Sequence, residues 1–169
     1  NAYQKDLTEY LVHLSHESLT EAESTQVSHL MFSVSDYERI GDHNDNIVEL
    51  AQSLLEAKIT LSEDAVAELK NILDSVKESL ELATEARRED SVEAAKRVYV
   101  LEDEVDVLEE KMRHGHMDRL ARGLCSADRG IVFLDALSNL ERISDHAVNI
   151  AEYVEAEREC KFDLSTVKY

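Results

Sequence analysis

Carboxylates recur in this chain at the spacing that stacks them on one side of a helix. The run ERIGDHNDNIVE, Glu38 to Glu49, returns as ERISDHAVNIAE, Glu141 to Glu152, 103 residues later, with eight of the twelve positions identical. At about 100° per residue, Glu38, Asp42, Asn46 and Glu49 fall within an arc of about 80°, and Ile40 and Ile47 fall about 180–200° from Glu38. Glu141, Asp145, Asn149 and Glu152 repeat that arrangement against Ile143 and Ile150. The isoleucines are expected to face a core and the acidic stripe to face away from it. Carboxylates and amide oxygens on a rigid face are hard ligands, suited to Mg²⁺, Mn²⁺ or Ca²⁺, and to iron where carboxylates bridge ions. Glu38, Asp42, Asn46, Glu141, Asp145 and Asn149 are therefore the candidate metal ligands.

His43 and His146 sit about 140° from the leading Glu, at the border of stripe and core. They read either as nitrogen ligands or as boundary histidines bonding a neighbouring side chain. A second acidic row, Glu102, Asp106 and Glu110, would complete a site begun by Glu141 and Asp145 if its helix packs beside theirs. Asp6 and Glu9 offer the same to the first copy. The competing reading of every one of these carboxylates is a solvated helix face. Against it, like charges four residues apart repel, and asparagine is a poor helix former. Exposure alone also gives two diverged copies no reason to keep the same residues.

Other chemistry is poorly served. Ferritin-like di-iron bundles need Glu-x-x-His pairs, and the chain has none. Without a G-x-S-x-G elbow or a glycine-rich phosphate loop, an enzyme is not expected. Eighteen Lys and Arg against 37 Asp and Glu leave a net charge of −19. Such a surface repels nucleic-acid phosphates and anionic lipid, and favours metal ions or basic protein patches. The longest apolar run, Ile131 to Leu134, is far short of the ~20 residues of a spanning helix, so no membrane insertion is expected. Cys125 and Cys160 have no metal-ligand spacing and read as reduced thiols.

The elements that must carry these residues are helical: proline is absent and glycine occurs four times, so little punctuates the chain. Leu7, Tyr10, Leu11 and Leu14 mark a first helix over about 2–18. A capping box at Thr20 to Glu23 opens a second, to about Lys58. A similar pattern at Thr60 to Glu63 opens a third, with Val66, Leu69, Ile72, Leu73, Val76, Leu80 and Ala83 as its apolar stripe, ending in the turn RRED. Asp90 to Glu93 starts a fourth, with a seam of Val98, Leu101, Val105, Leu108 and Met112, stopping at Gly123. Ser126 or Asp128 caps a fifth, to about Arg158. His114 and His116, near a helix end, read as surface. The offset of 103 implies a complete three-helix repeat over 59–159, preceded by the last two helices of another over 1–58, with a tail at 160–169. A fragment of a longer protein is inferred.

Two E-R-I-x-D-H-x-x-N-I motifs, one following a helix that reads VLEDEVDVLEE, resemble the PhoU family of tandem three-helix bundles. The resemblance covers nearly the whole chain. It implies an all-α fold of tandem three-helix bundles with a truncated first repeat and five long antiparallel helices. It also implies metal binding at Glu38 and Asp42 and at Glu141 and Asp145, as multinuclear iron or other clusters; zinc, nickel, manganese and magnesium are the further candidates. The family's role is negative regulation of phosphate uptake and signalling.

The stretch YQKDLTEYLVHLSHESLTEAES looks like the PhoU-like cytoplasmic domain of bacterial sodium/phosphate cotransporters. The membrane transporter domain of the same parent chain would then be the partner, at the cytoplasmic face of the membrane. An incomplete first bundle would expose an apolar groove that allows homodimerisation or helix exchange. The alternative is a non-enzymatic helical interaction or oligomerisation module with no metal requirement.

Overall fold

A computed structural model describes the backbone over residues 2–166 and side chains over 2–159. Five helices follow in order: α1 Ala2–Ser15, α2 Glu21–Ala57, α3 Glu63–Glu89, α4 Val92–Ala121 and α5 Ala127–Thr166, with no strand among the described residues. Thr20 closes the expected capping box with Glu23. Ser62 and Ser91 are the other N-caps, each hydroxyl accepting from the backbone N–H three residues on, Ala65 and Ala94. The caps thus sit later than Thr60 and Asp90; Asp90 instead ends α3 in the left-handed region, φ 53°.

Two boundaries differ from expectation. α1 stops at Ser15, three residues early, where the chain turns through His16 and Glu17. α5 runs on to Thr166 rather than Arg158, so the start of the presumed tail continues the helix. The side chains from Cys160 onward, and residues 167–169 altogether, lie outside the described residues.

α3, α4 and α5 pack against one another pairwise, α2 lies against α5, and among the described residues α1 packs on α2 alone. Successive helices run antiparallel: Glu78 meets Arg97 and Glu68 meets Arg119 across α3 and α4, and Tyr99 meets Glu155 across α4 and α5. The core is concentrated in the α3–α4–α5 bundle, where Ile72, Val98, Val105, Phe133, Leu137, Ile150 and Val154 are fully buried. Ala83, Ala86, Ala95, Ala147 and Ala151, also buried, leave room for close helix approach. From α2 only Ile40 joins that core fully, with Tyr37 and Ile47 packed at its margin.

The third helix's expected stripe needs correction. Ile72, Val76 and Ala83 are buried, but Val66 and Leu73 are about half exposed; they lie about 100–120° from Ile72 and miss the interface. Ala65, Leu82 and Ala86 are buried in the same bundle. In α4, Val98, Val105 and Met112 are buried, and Leu101 and Leu108 pack at the edge, a seven-residue recurrence as expected.

His116 is not a surface residue. Its ring is 2% exposed, stacks on Phe133 at 5.1 Å and sits over Gly130, where a Cβ would come within 2.5 Å of Nε2. Burial and the nearby Arg119 lower its pKa.

Candidate functional site

Both motif copies lie mid-helix, in α2 and α5, and their isoleucines turn inward as expected. Ile40, Ile143 and Ile150 are buried and Ile47 packs on the core. The acidic stripes stand beside that core, partly exposed.

On the second copy the helix beside the stripe is α4, which brings its own carboxylates. Glu102, Asp106, Glu109, Glu141 and Asp145 share one field. Partial burial, then the charges of Asp106, Asp103, Asp145 and Glu141, push the Glu102 carboxyl above its usual range. Asp106 rises for the same reasons, with Asp145 the largest neighbouring charge. Glu141 rises through burial and Asp145, and Arg142 works in the opposite sense. Glu109 is tied to Arg113. An open groove of about 510 Å³ runs beside Glu141, walled by Asp106, Glu109, Glu110, Arg113, Ser138 and Arg142. Glu102 and Asp106 of α4 thus feel the charge of Asp145 on α5, and Glu102 that of Glu141 as well.

The first copy is poorer in charge. Glu38, Asp42 and Asp45 line a groove of about 300 Å³ in which α1 contributes Tyr3, Gln4 and Leu7. Asp6 and Glu9, the acids expected here, are exposed and absent from that lining. Arg39 approaches Asp42 at 3.7 Å as Arg142 approaches Asp145 at 3.3 Å, so each copy carries the same exposed i, i+3 pair.

The donor set suits a hard cation in chemical type, since clustered carboxylates that resist ionisation gain most from a positive ion. Among the described residues, however, no three His, Cys, Asp or Glu side chains converge closely enough to hold one.

The histidines and asparagines have other partners. His146 Nδ1 lies 2.7 Å from Asp36 Oδ1, and Asn149 Nδ2 donates to the same oxygen at 3.0 Å. In the other direction His43 Nδ1 lies 2.9 Å from Asn139 Oδ1, to which Asn46 Nδ2 donates at 3.1 Å. Asp36 and Asn139 are themselves 103 residues apart. Each copy's His and Asn therefore grip, on the opposite helix, the residue two before that helix's motif. The two histidine rings meet at 5.8 Å where the grips cross. Of the two readings left open for His43 and His146, the structure supplies the bonding neighbour, and Asn46 and Asn149 share it.

The clasp extends along α2 and α5. Burial and the Asp36 carboxylate push the Tyr153 hydroxyl up to about 12, and its ring stacks on His29 at 5.3 Å. Glu157, 2% exposed, accepts two bonds from Arg87 of α3 at 2.7 and 2.6 Å, with His29 Nδ1 at 3.4 Å. Asp36 and Asn139 carry a signal in the sequence: each is a polar residue on the isoleucine side of the helix, about 160° from the motif's Glu.

An all-α protein in which two helical units share a doubled acidic motif defines the class. The chain belongs to the PhoU family, whose domain model matches residues 1–51 and 69–154. It is 34% identical over 142 residues to a phosphate-specific transport system accessory protein PhoU homolog 1 of Thermotoga maritima, covering 82% of this chain and 60% of that one. A Clostridium acetobutylicum PhoU homolog of the same description is 27% identical over 119 residues, 70% of this chain and 53% of its own. The chain thus spans little more than half the length of these curated relatives. The crystal structure of PhoU from Pseudomonas aeruginosa superposes with a TM-score of 0.87 at 25% identity, over 93% of this chain and 75% of that one. The expected all-α PhoU fold is therefore observed.

Proposed function

We propose that this chain is a non-enzymatic regulatory domain of phosphate transport whose acidic faces hold metal ions. The carrying observation is the α4–α5 cluster: Glu102, Asp106 and Glu141 all resist ionisation because of burial and the charges of neighbouring carboxylates, Asp145 common to all three. A divalent or trivalent ion there would neutralise that repulsion and present net positive charge to phosphate or a partner. Glu141, Asp145, Glu102 and Asp106 would have to draw together to hold it, with Glu38 and Asp42 as the first site, poorer in charge. The relatives' description as accessory proteins of phosphate transport supports the regulatory role. The motif resemblance supports attachment to a sodium/phosphate cotransporter at the cytoplasmic face. Among the described residues no helix is long and apolar enough to cross a membrane, so the transporter part would be a separate segment.

The test is elemental mass spectrometry on chain purified without chelator or metal-binding tag, beside the Glu141→Ala, Asp145→Ala double variant. One or more equivalents of iron, zinc, nickel, manganese or magnesium, reduced in the variant, is the expected result. Folded chain that neither carries nor takes up metal would overturn the reading. The absence of three converging donors among the described residues favours a second reading. The acidic faces would then dock basic protein segments without metal, and partner binding would survive chelation.

A further inference from the structure

The α3–α4–α5 bundle closes on a small cavity at the end where the α4–α5 turn meets the start of α3. It holds about 30 Å³ and is walled by Ser62 of the α3 cap, His116 and Arg119 of α4, Cys125 of the turn, and Arg129 and Phe133 of α5. That is room for one particle the size of a water molecule or a chloride ion, and less than a tetrahedral oxyanion occupies. His116 is 2% exposed, and its Nε2 has no hydrogen-bond partner. A buried ring nitrogen left in that state is costly. A ligand in the cavity that His116 lines would satisfy it.

The charges around the cavity select its occupant. The two larger grooves of the chain are edged by carboxylates, whereas no carboxylate of the described residues lines this one. Arg119 is already held by two bonds to Glu68. Arg129 is exposed and pairs with no carboxylate among the described residues. Ala65 and Arg129, which face the cavity from either side, belong to the first turns of α3 and α5, and helix N-termini carry partial positive charge. Glu63, Asp64 and Asp128 in those turns temper that field without entering the lining. The Ser62 oxygen accepts from the Ala65 N–H, which leaves its own proton to donate. Burial and Arg119 lower the pKa of His116, so at pH 7 the ring is a neutral imidazole that can carry its proton on Nε2. We propose that this cavity binds one chloride-sized monovalent anion, held by His116 Nε2–H, the Ser62 hydroxyl and the Arg129 guanidinium. Such an ion ties the α4–α5 turn to the start of α3. The site uses none of the residues of the metal reading, requires no metal, and stands or falls separately.

The test is quadrupolar chloride NMR on the chelator-treated 169-residue chain, in which bound chloride appears as line broadening. Saturable broadening is expected, reversed by bromide but not by gluconate at matched ionic strength. The nitrogen resonance of His116 Nε2 should move with the same saturation, which tests the site in the unaltered chain. Removing the free charge in Arg129→Gln should weaken chloride binding about tenfold, with circular dichroism checking that this exposed-site variant folds. Arg122→Gln, which alters an exposed arginine outside the lining, should bind as wild type. The proposal is overturned if no saturable broadening occurs, which would leave a lone water as the occupant, or if the His116 resonance stays still. It is also overturned if gluconate displaces the ion, if binding survives Arg129→Gln, or if Arg122→Gln weakens it equally, as a loosely held counter-ion of the turn would.

Discussion

Replacing Asp36 by Ala removes the centre of one half of the α2–α5 clasp, and the structure sets its cost against a built-in control. The Asp36 carboxylate is 7% exposed and accepts from His146 and Asn149. Bonds to a charged acceptor contribute about 1.5–3 kcal/mol each, and the partial exposure of His146, 21%, argues for the lower end. The expected loss is about 3 kcal/mol. Asn139, at the equivalent place, also accepts two bonds. Both are neutral, and Asn46 is exposed enough to regain water, so Asn139→Ala should cost about 1 kcal/mol. For a chain of this size about 2–4 °C of Tm accompanies each kcal/mol. Thermal and urea denaturation followed at 222 nm should therefore separate the two variants by about 4–8 °C, with Asp36→Asn between them. Equal losses, or a loss below about 1 kcal/mol for Asp36→Ala, would refute the charge-assisted clasp.

Glu157→Ala leaves Arg87, its side chain 12% exposed, without its bidentate partner; urea denaturation should show a loss of about 3–5 kcal/mol. Gly130→Ala drives a methyl to within 2.5 Å of His116 Nε2 and should cost about 1–3 kcal/mol by overpacking. The same substitution made in a His116→Ala background should cost clearly less, as a double-mutant cycle measures. The carboxyls of Glu102, Asp106 and Glu141 titrate above their ordinary values of 4.5 for Glu and 3.8 for Asp. Their contribution to stability is thus fully present below those values and is lost as pH rises through the folded ones. Glu141→Gln should accordingly raise the Tm of metal-free chain at pH 7 and flatten its gain on acidification; a lower Tm than wild type at pH 7 would contradict the assigned repulsion.

The sequence revealed those parts of the molecule whose cause is local. Apolar recurrence marked five helices, and a Thr or Asp three residues ahead of a Glu marked three starts to within two residues of the observed caps, because capping is decided within four residues. Val66 and Leu73 were misread since period alone does not say where the stripe's centre lies; the partner helices α4 and α5 do. His116 was misread because its burial depends on Gly130 and Phe133 in a different helix. The doubled motif was visible, yet the grip of His146 on Asp36 joins residues 110 apart, and only the antiparallel crossing of α2 and α5 fixes that register. Asp36 and Asn139 were nonetheless detectable as polar residues on the apolar side of their helices.

The twelve-residue pattern can now be divided by cause. Its isoleucines occupy the core or its margin. Its histidines and asparagines form the reciprocal clasp. Its arginines make exposed pairs with the aspartates three residues on, worth at most a few tenths of a kcal/mol. The leading Glu and the Asp four residues later have no comparable structural return. In the second copy Glu141 raises the electrostatic cost of Glu102, and Asp145 raises that of Glu141. Both acids recur in copies that have diverged to tyrosine, glutamine and leucine on the facing helix of the first site and to aspartate, valine and glutamate at the matching places of the second. Folding therefore accounts for the Ile, His and Asn of the motif and leaves its carboxylates unexplained. The proposed metal reading rests on that remainder: an ion bound beside Glu141 would offset the repulsion that burial and Asp145 create there.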